Sequence, residues 1–298
     1  MAERQLSVVE NVPGELFVDS SCIECDTCRE LAPDIFGSTP SGQSFARRQP
    51  SDDDQWRRAL QAVVSCPTAS IGAERSAAQA ARDLPVPIQE ERASPATGGA
   101  QRAEHPTDGP VFRCGYSSED SYGAQSYFLR RADGNVLIDS PRFAAPLVKR
   151  LEELGGVRRM FLTHRDDVAD HEKFHRKFGC ERIIHRDDDV AGAEVLLDGD
   201  RELAPGMRII HVPGHTRGSC VLLVDDNYLF TGDHLWGWEG QLEMGRNVSW
   251  YSWTEQKKSL RKLLAVRFEW VLPGHGRSLH LPAPQMHAEV EALARRLS

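Results

Sequence analysis

Thirteen residues, Thr163 to His175, read THRDDVADHEKFH and hold three histidines and four carboxylates directly after the apolar run Met160, Phe161, Leu162. Few folds accommodate such a stretch. An apolar strand that ends at Thr163 leaves the polar groups on a loop at a sheet's edge, where neutral imidazole and carboxylate oxygen together suit zinc, iron or manganese. Three later stretches repeat the setting. His215 stands in PGHTRGS after the strand-like Met207 to Val212, Asp233 follows Tyr228-Leu-Phe in LFTGD, and His275 follows Trp270-Val-Leu in LPGHG. Each puts a ligand-type residue at the exit of an apolar strand, beside a glycine that lets the backbone come close. A lone histidine is most often an ordinary surface or core residue. Four strand exits in order point to one metal centre.

At 298 residues the chain is long for one domain and comfortable for one large and one small. Its net charge of -8, with acids and bases intermixed, argues against a nucleic-acid grip dominated by phosphate contacts. No apolar run approaches the roughly 18 residues of a membrane span, and MAERQLSVVENVPGE lacks the basic start and apolar stretch of a signal peptide. A cytoplasmic location is expected. Of seven cysteines, Cys114, Cys180 and Cys220 are scattered singly and are expected to be reduced.

The other four form a pattern. Cys22-x-x-Cys25-x-x-Cys28 is followed 38 positions later by Cys66-Pro67. Thiolates two residues apart on a tight loop can reach different irons of one cubane, while a distant cysteine before proline closes the fourth corner from the end of a helix, here Asp53 to Ser65. The segment resembles bacterial-type ferredoxins with a single cluster. No second Cys-x-x-Cys-x-x-Cys precedes Cys66, so one cluster fits, and the presence of Cys25 favours four irons over three. The competing readings are a zinc site, which normally takes two Cys-x-x-Cys pairs, and disulfides. Between Met1 and Phe36 eight acids stand against two bases. Such a face can steer a basic redox partner that supplies electrons, or can simply be solvated.

The expected organisation is a small α+β ferredoxin-like 4Fe-4S domain over residues 1–72, a linker over 73–108, and an αββα sandwich over 109–298. The linker reading rests on the shift to alanine, proline, arginine and glutamate, with a short helix over Glu74 to Arg82; Pro85-Val-Pro-Ile can dock on a neighbour. From Val111 onward short apolar strands alternate with amphipathic helices at Ala144 to Leu154, Asp170 to Phe178, Thr254 to Ala265 and Ala283 to Arg296. That alternation implies two sheets between helical layers.

In this order and spacing, THRDDVADH, PGHTRGS, LFTGD and LPGHG resemble the metallo-β-lactamase fold superfamily, and the added ferredoxin segment is similar to a subgroup found in cyanobacteria and plant chloroplasts. The superfamily's first motif normally reads His-x-His-x-Asp-His. Here His164 matches its first position and Asp170-His171 its last pair, with two residues inserted and Asp166, or Asp167, where the second histidine should be. The resemblance implies two divalent ions. One would take His164, His215 and Asp166, the other Asp170, His171 and His275, with Asp233 bridging. It also implies catalytic roles for Asp233 and Asp170, and His234 stands next to the bridging aspartate as a proton donor or outer partner. Thr216 and Ser219 would brace the ligand loop. A carboxylate in the second ligand position also occurs in the flavodiiron proteins, and hard oxygen donors stabilise ferric iron, so iron is favoured over zinc or manganese. His171-Glu172-Lys173-Phe174-His175 also fits the zinc-protease pattern HExxH. That reading would leave the other strand-exit motifs without a role. Trp236, Trp238, Trp250 and Trp253 are expected at the pocket mouth or in packing.

Three functions compete. A cluster that moves one electron at a time points to an oxidoreductase feeding a di-iron centre, acting on dioxygen, nitric oxide or an organic small molecule. The second reading is a hydrolase of an ester, thioester or amide with a structural or sensory cluster, as most of the superfamily hydrolyse. The third is a redox sensor or binding protein with a degenerate metal site.

Overall fold

The computed structural model describes residues 2–88 and 110–298; residues 89–109, which hold most of the expected linker, lie outside the described residues. The N-terminal unit is small. Its strand Phe17–Val18 pairs antiparallel with Ile71–Gly72, and a hairpin joins Phe36–Ser38 to Ser44–Ala46. The helices Thr27–Leu31 and Asp53–Ser65 pack against each other, the second capped by Asp52, whose carboxylate accepts from the Gln55 amide at 2.8 Å. Leu16, Val18, Ile35, Phe36, Trp56, Ala59 and Ala62 close its core around Cys28 and Cys66.

The larger unit carries two sheets. One has seven strands in the order Val195–Leu197, Glu181–His185, Arg159–Phe161, Val136–Ile138, Tyr127–Leu129, Val111–Arg113 and Val86–Pro87. The other has six, in the order Arg201–Ala204, Met207–His211, Cys220–Val224, Tyr228–Gly232, Trp270–Pro273 and Leu279–His280. Side chains alternate across a pleated strand, and the packing follows that period. Tyr127, Leu129, Val136, Ile138 and Phe161 face Ile209, Leu222, Phe230 and Leu272 between the sheets. Phe128, Leu137 and Met160 point the other way, beneath the helices Ala145–Glu153 and His171–Phe178. On the outer face of the second sheet, Ile210, Val221, Leu223 and Val271 meet Leu260, Met286, Val290 and Leu293 of the last helices. With both faces covered, the central strands read as unbroken apolar runs. The architecture is the αββα sandwich expected from the alternation.

Part of the expected linker is structural. Ala78–Asp83 is helical, and Val86–Pro87 pairs antiparallel with Val111–Arg113, so these residues dock as an edge strand of the seven-stranded sheet. The helix expected over Thr254 to Ala265 divides into Trp253–Leu260 and a 3-10 segment Arg261–Ala265. The two units are held together by polar contacts. Arg113 pairs with Glu30 at 2.8 Å and donates to the Ser278 hydroxyl at 3.0 Å. Arg142 donates to the Val64 carbonyl at 3.1 Å, and the Thr27 hydroxyl to the Gly123 carbonyl at 3.1 Å. The small unit therefore sits against the strand exits of the large one.

Candidate metal centre

The strand Arg159–Phe161 delivers Thr163 to the sheet edge beside Asp139, which follows the neighbouring strand Val136–Ile138. Asp139 accepts from the Thr163 amide at 2.7 Å and from its hydroxyl at 3.0 Å. With its proton on that carboxylate, the same hydroxyl accepts from Nδ1 of His164 at 2.9 Å. Nε2 of His164 is then left with a free lone pair. His215 is oriented in the same manner, its Nδ1 donating to the Val248 carbonyl. The two imidazoles meet edge to face, centroids 4.6 Å apart.

Carboxylates surround the two free nitrogens. Nε2 of His164 lies 3.9 Å from Asp166, 4.0 Å from Asp167 and 3.8 Å from Asp233. Nε2 of His215 lies 3.3 Å from Asp166 and 3.6 Å from Asp233. Two donor groups result, His164 with Asp166 and His215, and His164 with Asp167 and Asp233, each with ligand atoms within 4.8 Å of one another. His275 approaches from the second sheet, with Nδ1 2.8 Å from Asp233. Its glycine neighbour makes the approach possible, since a Cβ on Gly274 would fall 2.6 Å from Asp167 Oδ2 and 3.0 Å from Asp233 Oδ1.

These residues fit a cation. Nε2 of His164, Nε2 of His215 and both Asp167 oxygens are buried without a hydrogen-bond partner, a condition that costs about 1–3 kcal/mol per group. Burial pushes the Asp167 carboxyl well above its usual range and holds His164 down to about 4. Burial opposes the charged form of His275, yet the Asp233 carboxylate outweighs it and raises the imidazole to about 10. Divalent ions at this spot would satisfy the orphaned atoms and displace protons as they bind.

The expected last pair of the first motif is elsewhere. Asp170 accepts from the Phe143 amide at 2.7 Å and pairs with Lys173 at 2.7 Å, ahead of the helix His171–Phe178. His171 turns its Nδ1 toward Arg182, 3.3 Å away. The chain reverses after Asp167 through Val168 and Ala169, the latter at φ +26°, so the insertion carries Asp170 and His171 away from the other ligand-type residues. Asp167 takes the inward position instead. The catalytic role expected for Asp170 loses its geometry, and His234 lies outside the cavity lining. His234 is 1% exposed and its ring nitrogens are unpartnered; burial holds its imidazole down to about 3. His175 points at the Cys180 carbonyl, 2.8 Å from Nδ1, so the HExxH pattern builds no site.

One brace was not foreseen. Asp188 accepts from the Arg165 amide at 3.1 Å, the Thr216 hydroxyl at 2.8 Å and the Gly218 amide at 2.8 Å. It ties the His164 loop to the His215 loop, and Thr216 and Ser219 complete the brace at 2.8 Å. In the sequence Asp188 is one member of Arg186-Asp-Asp-Asp, with nothing to single it out.

The four cysteines Cys22, Cys25, Cys28 and Cys66 line a second cavity with Thr27, Ser44 and Ser70. Every cysteine in the chain is free. Amides of Glu24 and Ser70 donate to the Cys22 and Cys66 sulfurs at 3.4 and 3.3 Å, and the Ser44 hydroxyl lies 3.4 Å from Cys28 Sγ. Burial pushes the Cys25 thiol up to about 11 and Cys28 further in the same direction. Four sulfurs gathered on one cavity, with amide donors beside two of them, fit thiolates held on iron.

The two sites share a wall. A cavity of about 720 Å³ is lined by Cys25 together with Asp166, Asp167, His215, Asp233 and His275, and by Trp236, Trp238 and Trp250. Trp253 packs instead beside the core of the second sheet.

Comparison with known proteins agrees with both halves. Residues 18–73 match the family described as the 4Fe-4S single cluster domain of Ferredoxin I. A lactamase-like protein of Pestalotiopsis microspora is 28% identical over 53% of this chain and 51% of its own length. A hydroxyacylglutathione hydrolase of Xanthomonas oryzae pv. oryzae (strain MAFF 311018) is 35% identical over 36% of this chain and 44% of its own length. The chain thus spans about half the length of these relatives. In structure it is similar to the DIM-1 metallo-β-lactamase exposed to ceftazidime, with a TM-score of 0.50 and 15% identity, covering 65% of this chain and 96% of that one. An N-terminal single-cluster ferredoxin domain therefore precedes a metallo-β-lactamase fold in this chain.

Proposed function

We propose that the chain is a metal-dependent oxidoreductase in which a 4Fe-4S cluster exchanges single electrons with a dinuclear, preferentially iron, site. One observation carries the reading: Cys25 packs on Gly123, and the carbonyl of the adjoining Tyr122 lies 3.3 Å from Nε2 of His275. Gly123 sits at φ +84°, and a Cβ there would lie 2.4 Å from Cys25 Cβ and 2.7 Å from its sulfur. Only a glycine lets the Cys25 side chain come so close to this stretch of backbone.

The residues that would hold the ions are His164, Asp166, His215, Asp167, Asp233 and His275. The ions would supply redox and Lewis-acid chemistry. The chain's residues set the scene for it: Asp139, through Thr163, and Val248 hold the imidazole tautomers, Asp188 holds the loops, and Trp236, Trp238 and Trp250 wall the cavity. The second reading, hydrolysis of a thioester, is favoured by the hydroxyacylglutathione hydrolase likeness.

The test separates them. Protein purified without oxygen should hold about six irons per chain, four in the cluster and two beside it. After photoreduction of the cluster, its absorbance should recover quickly in the iron-loaded protein and slowly when redox-inert zinc fills the second site. Equal recovery with either metal rejects electron exchange.

A further inference from the structure

We propose that Asp19 holds down the reduction potential of the 4Fe-4S cluster by polarising a chain of three hydroxyls, so that Cys66 receives no hydrogen bond from Thr68. The inference rests on the cluster unit alone. It goes beyond the proposed function and holds whether the second site performs redox or hydrolytic chemistry.

The chain is continuous. The Cys66 sulfur lies 3.7 Å from the Thr68 hydroxyl, which lies 2.5 Å from that of Ser70; the Ser70 hydroxyl lies 2.8 Å from that of Ser21, which lies 2.5 Å from Oδ1 of Asp19. Strand pairing assembles it. Asp19 follows Phe17–Val18 and Ser70 precedes Ile71–Gly72, the antiparallel partner, and the Asp19 amide donates to the Ser70 carbonyl at 2.9 Å. Asp19 and Ser70, which fix the direction of the chain, are both buried.

Proton counting gives that direction. Each hydroxyl has one proton to donate, while an ionised carboxylate only accepts. Burial works against the charge on Asp19, yet the Ser21 hydroxyl, the Glu3 amide at 2.8 Å and the Ser21 amide at 3.0 Å outweigh it and hold the carboxyl below its ordinary range. Ser21 therefore points its proton at Asp19. Ser70 must then donate to Ser21, and Thr68 to Ser70. Nothing remains for the sulfur, and because a thiolate on iron carries no proton of its own, an oxygen lone pair faces it.

A neighbouring cysteine shows the opposite case. The Ser44 hydroxyl, 3.4 Å from Cys28 Sγ, has no other acceptor among the described residues and is free to donate to that sulfur. Cys66 keeps only the Ser70 amide at 3.3 Å besides. Hydrogen bonds to cluster sulfurs favour the reduced, more negative state. Withholding one keeps the potential low. When a one-electron donor reduces the cluster, the electron enters the cluster and every proton of the chain stays on its oxygen.

The experiment uses the full chain with its cluster and with zinc in the second site, which leaves one redox centre, and reads the equilibrium potential by spectroelectrochemical titration. Ser70→Ala keeps the backbone donor and frees the Thr68 proton for Cys66. The reduction equilibrium should then shift about fivefold toward the reduced cluster, the scale of one hydrogen bond, or about 40 mV upward at 59 mV per tenfold for one electron. Thr68→Val removes a hydroxyl that gives the sulfur nothing, so it should leave the potential unmoved. Adding it to Ser70→Ala should restore the native value, and resonance Raman should find the iron–thiolate stretches shifted in Ser70→Ala alone of these three. Asp19→Asn tests the chain without touching Ser70: the potential should rise, and Thr68→Val should take back part of that rise. A fall with Thr68→Val alone, an unmoved Ser70→Ala, or a rise in either background that Thr68→Val leaves intact would each overturn the proposal. Since zinc blocks electron exchange, this outcome is read apart from the photoreduction test.

Discussion

The carbonyl oxygen of Tyr122 lies 3.3 Å from Nε2 of His275, and the residue after Tyr122 is the glycine on which Cys25 rests. Cluster and metal cavity are joined by one peptide unit. Gly123→Ala should therefore do two things. Its Cβ would overlap Cys25 at a backbone angle that favours glycine, destabilising the protein by about 1–3 kcal/mol, and the displaced contact should slow recovery of the photoreduced cluster. Thermal unfolding reads the first, and transient absorbance the second.

The ion pair between Arg113 and Glu30 locks the two units, with side chains only 11% and 12% exposed. Glu30→Ala strands the guanidinium in the interface and should cost about 3–5 kcal/mol. Removing both charges together, as in Glu30→Leu with Arg113→Met, should cost much less. Denaturant unfolding of the single and double variants measures the difference.

Asp188 touches no proposed metal, yet it holds both ligand loops. Asp188→Ala should lower metal affinity by about 10–100-fold, the usual effect of losing an outer partner of a ligand. Competition against a chelator gives the number. Asp188→Asn, which keeps the acceptor oxygen, should recover part of it.

Asp167 and Asp170 make opposite predictions. Asp167→Asn removes an inward carboxylate and should lower the metal content of the second donor group. Asp170→Asn should leave metal content unchanged and loosen only the Phe143 amide and Lys173 contacts. Elemental analysis of the two purified variants decides the assignment.

Glu194 provides a pH signature outside the metal centre. Its hydrogen bonds with Arg182 outweigh burial and hold the carboxyl down to about 2, against an ordinary value of 4.5. The folded state favours the ionised form, so this stabilisation is complete above the unfolded value and disappears as pH falls through 4.5 toward 2. The stability difference between the native chain and Glu194→Gln should shrink across that window. A difference that grows on acidification contradicts the pairing.

Much of this protein could be read from short range. Cysteine spacing announces the single-cluster unit because three thiolates must sit on one tight loop. The four strand exits announce the larger fold because a ligand at the end of an apolar strand is a local pattern, complete within about five residues. His164, His215, Asp233 and His275 were legible for that reason, and the structure brings all four together.

What eluded the sequence depends on direction and on distance. Four acids crowd Asp166 to Glu172, and which of them faces inward is set by the turn at Ala169, whose geometry no residue type announces. Asp188 acquires its role only when two loops fold onto it. That Cys25 and His275, 250 positions apart, line one cavity is decided by how the two units dock. Sequence pattern determined which residues can bind metal and sulfur cluster, since that is chemistry of single side chains. Tertiary packing alone decided which of them converge, since that depends on contacts between residues that are remote along the chain.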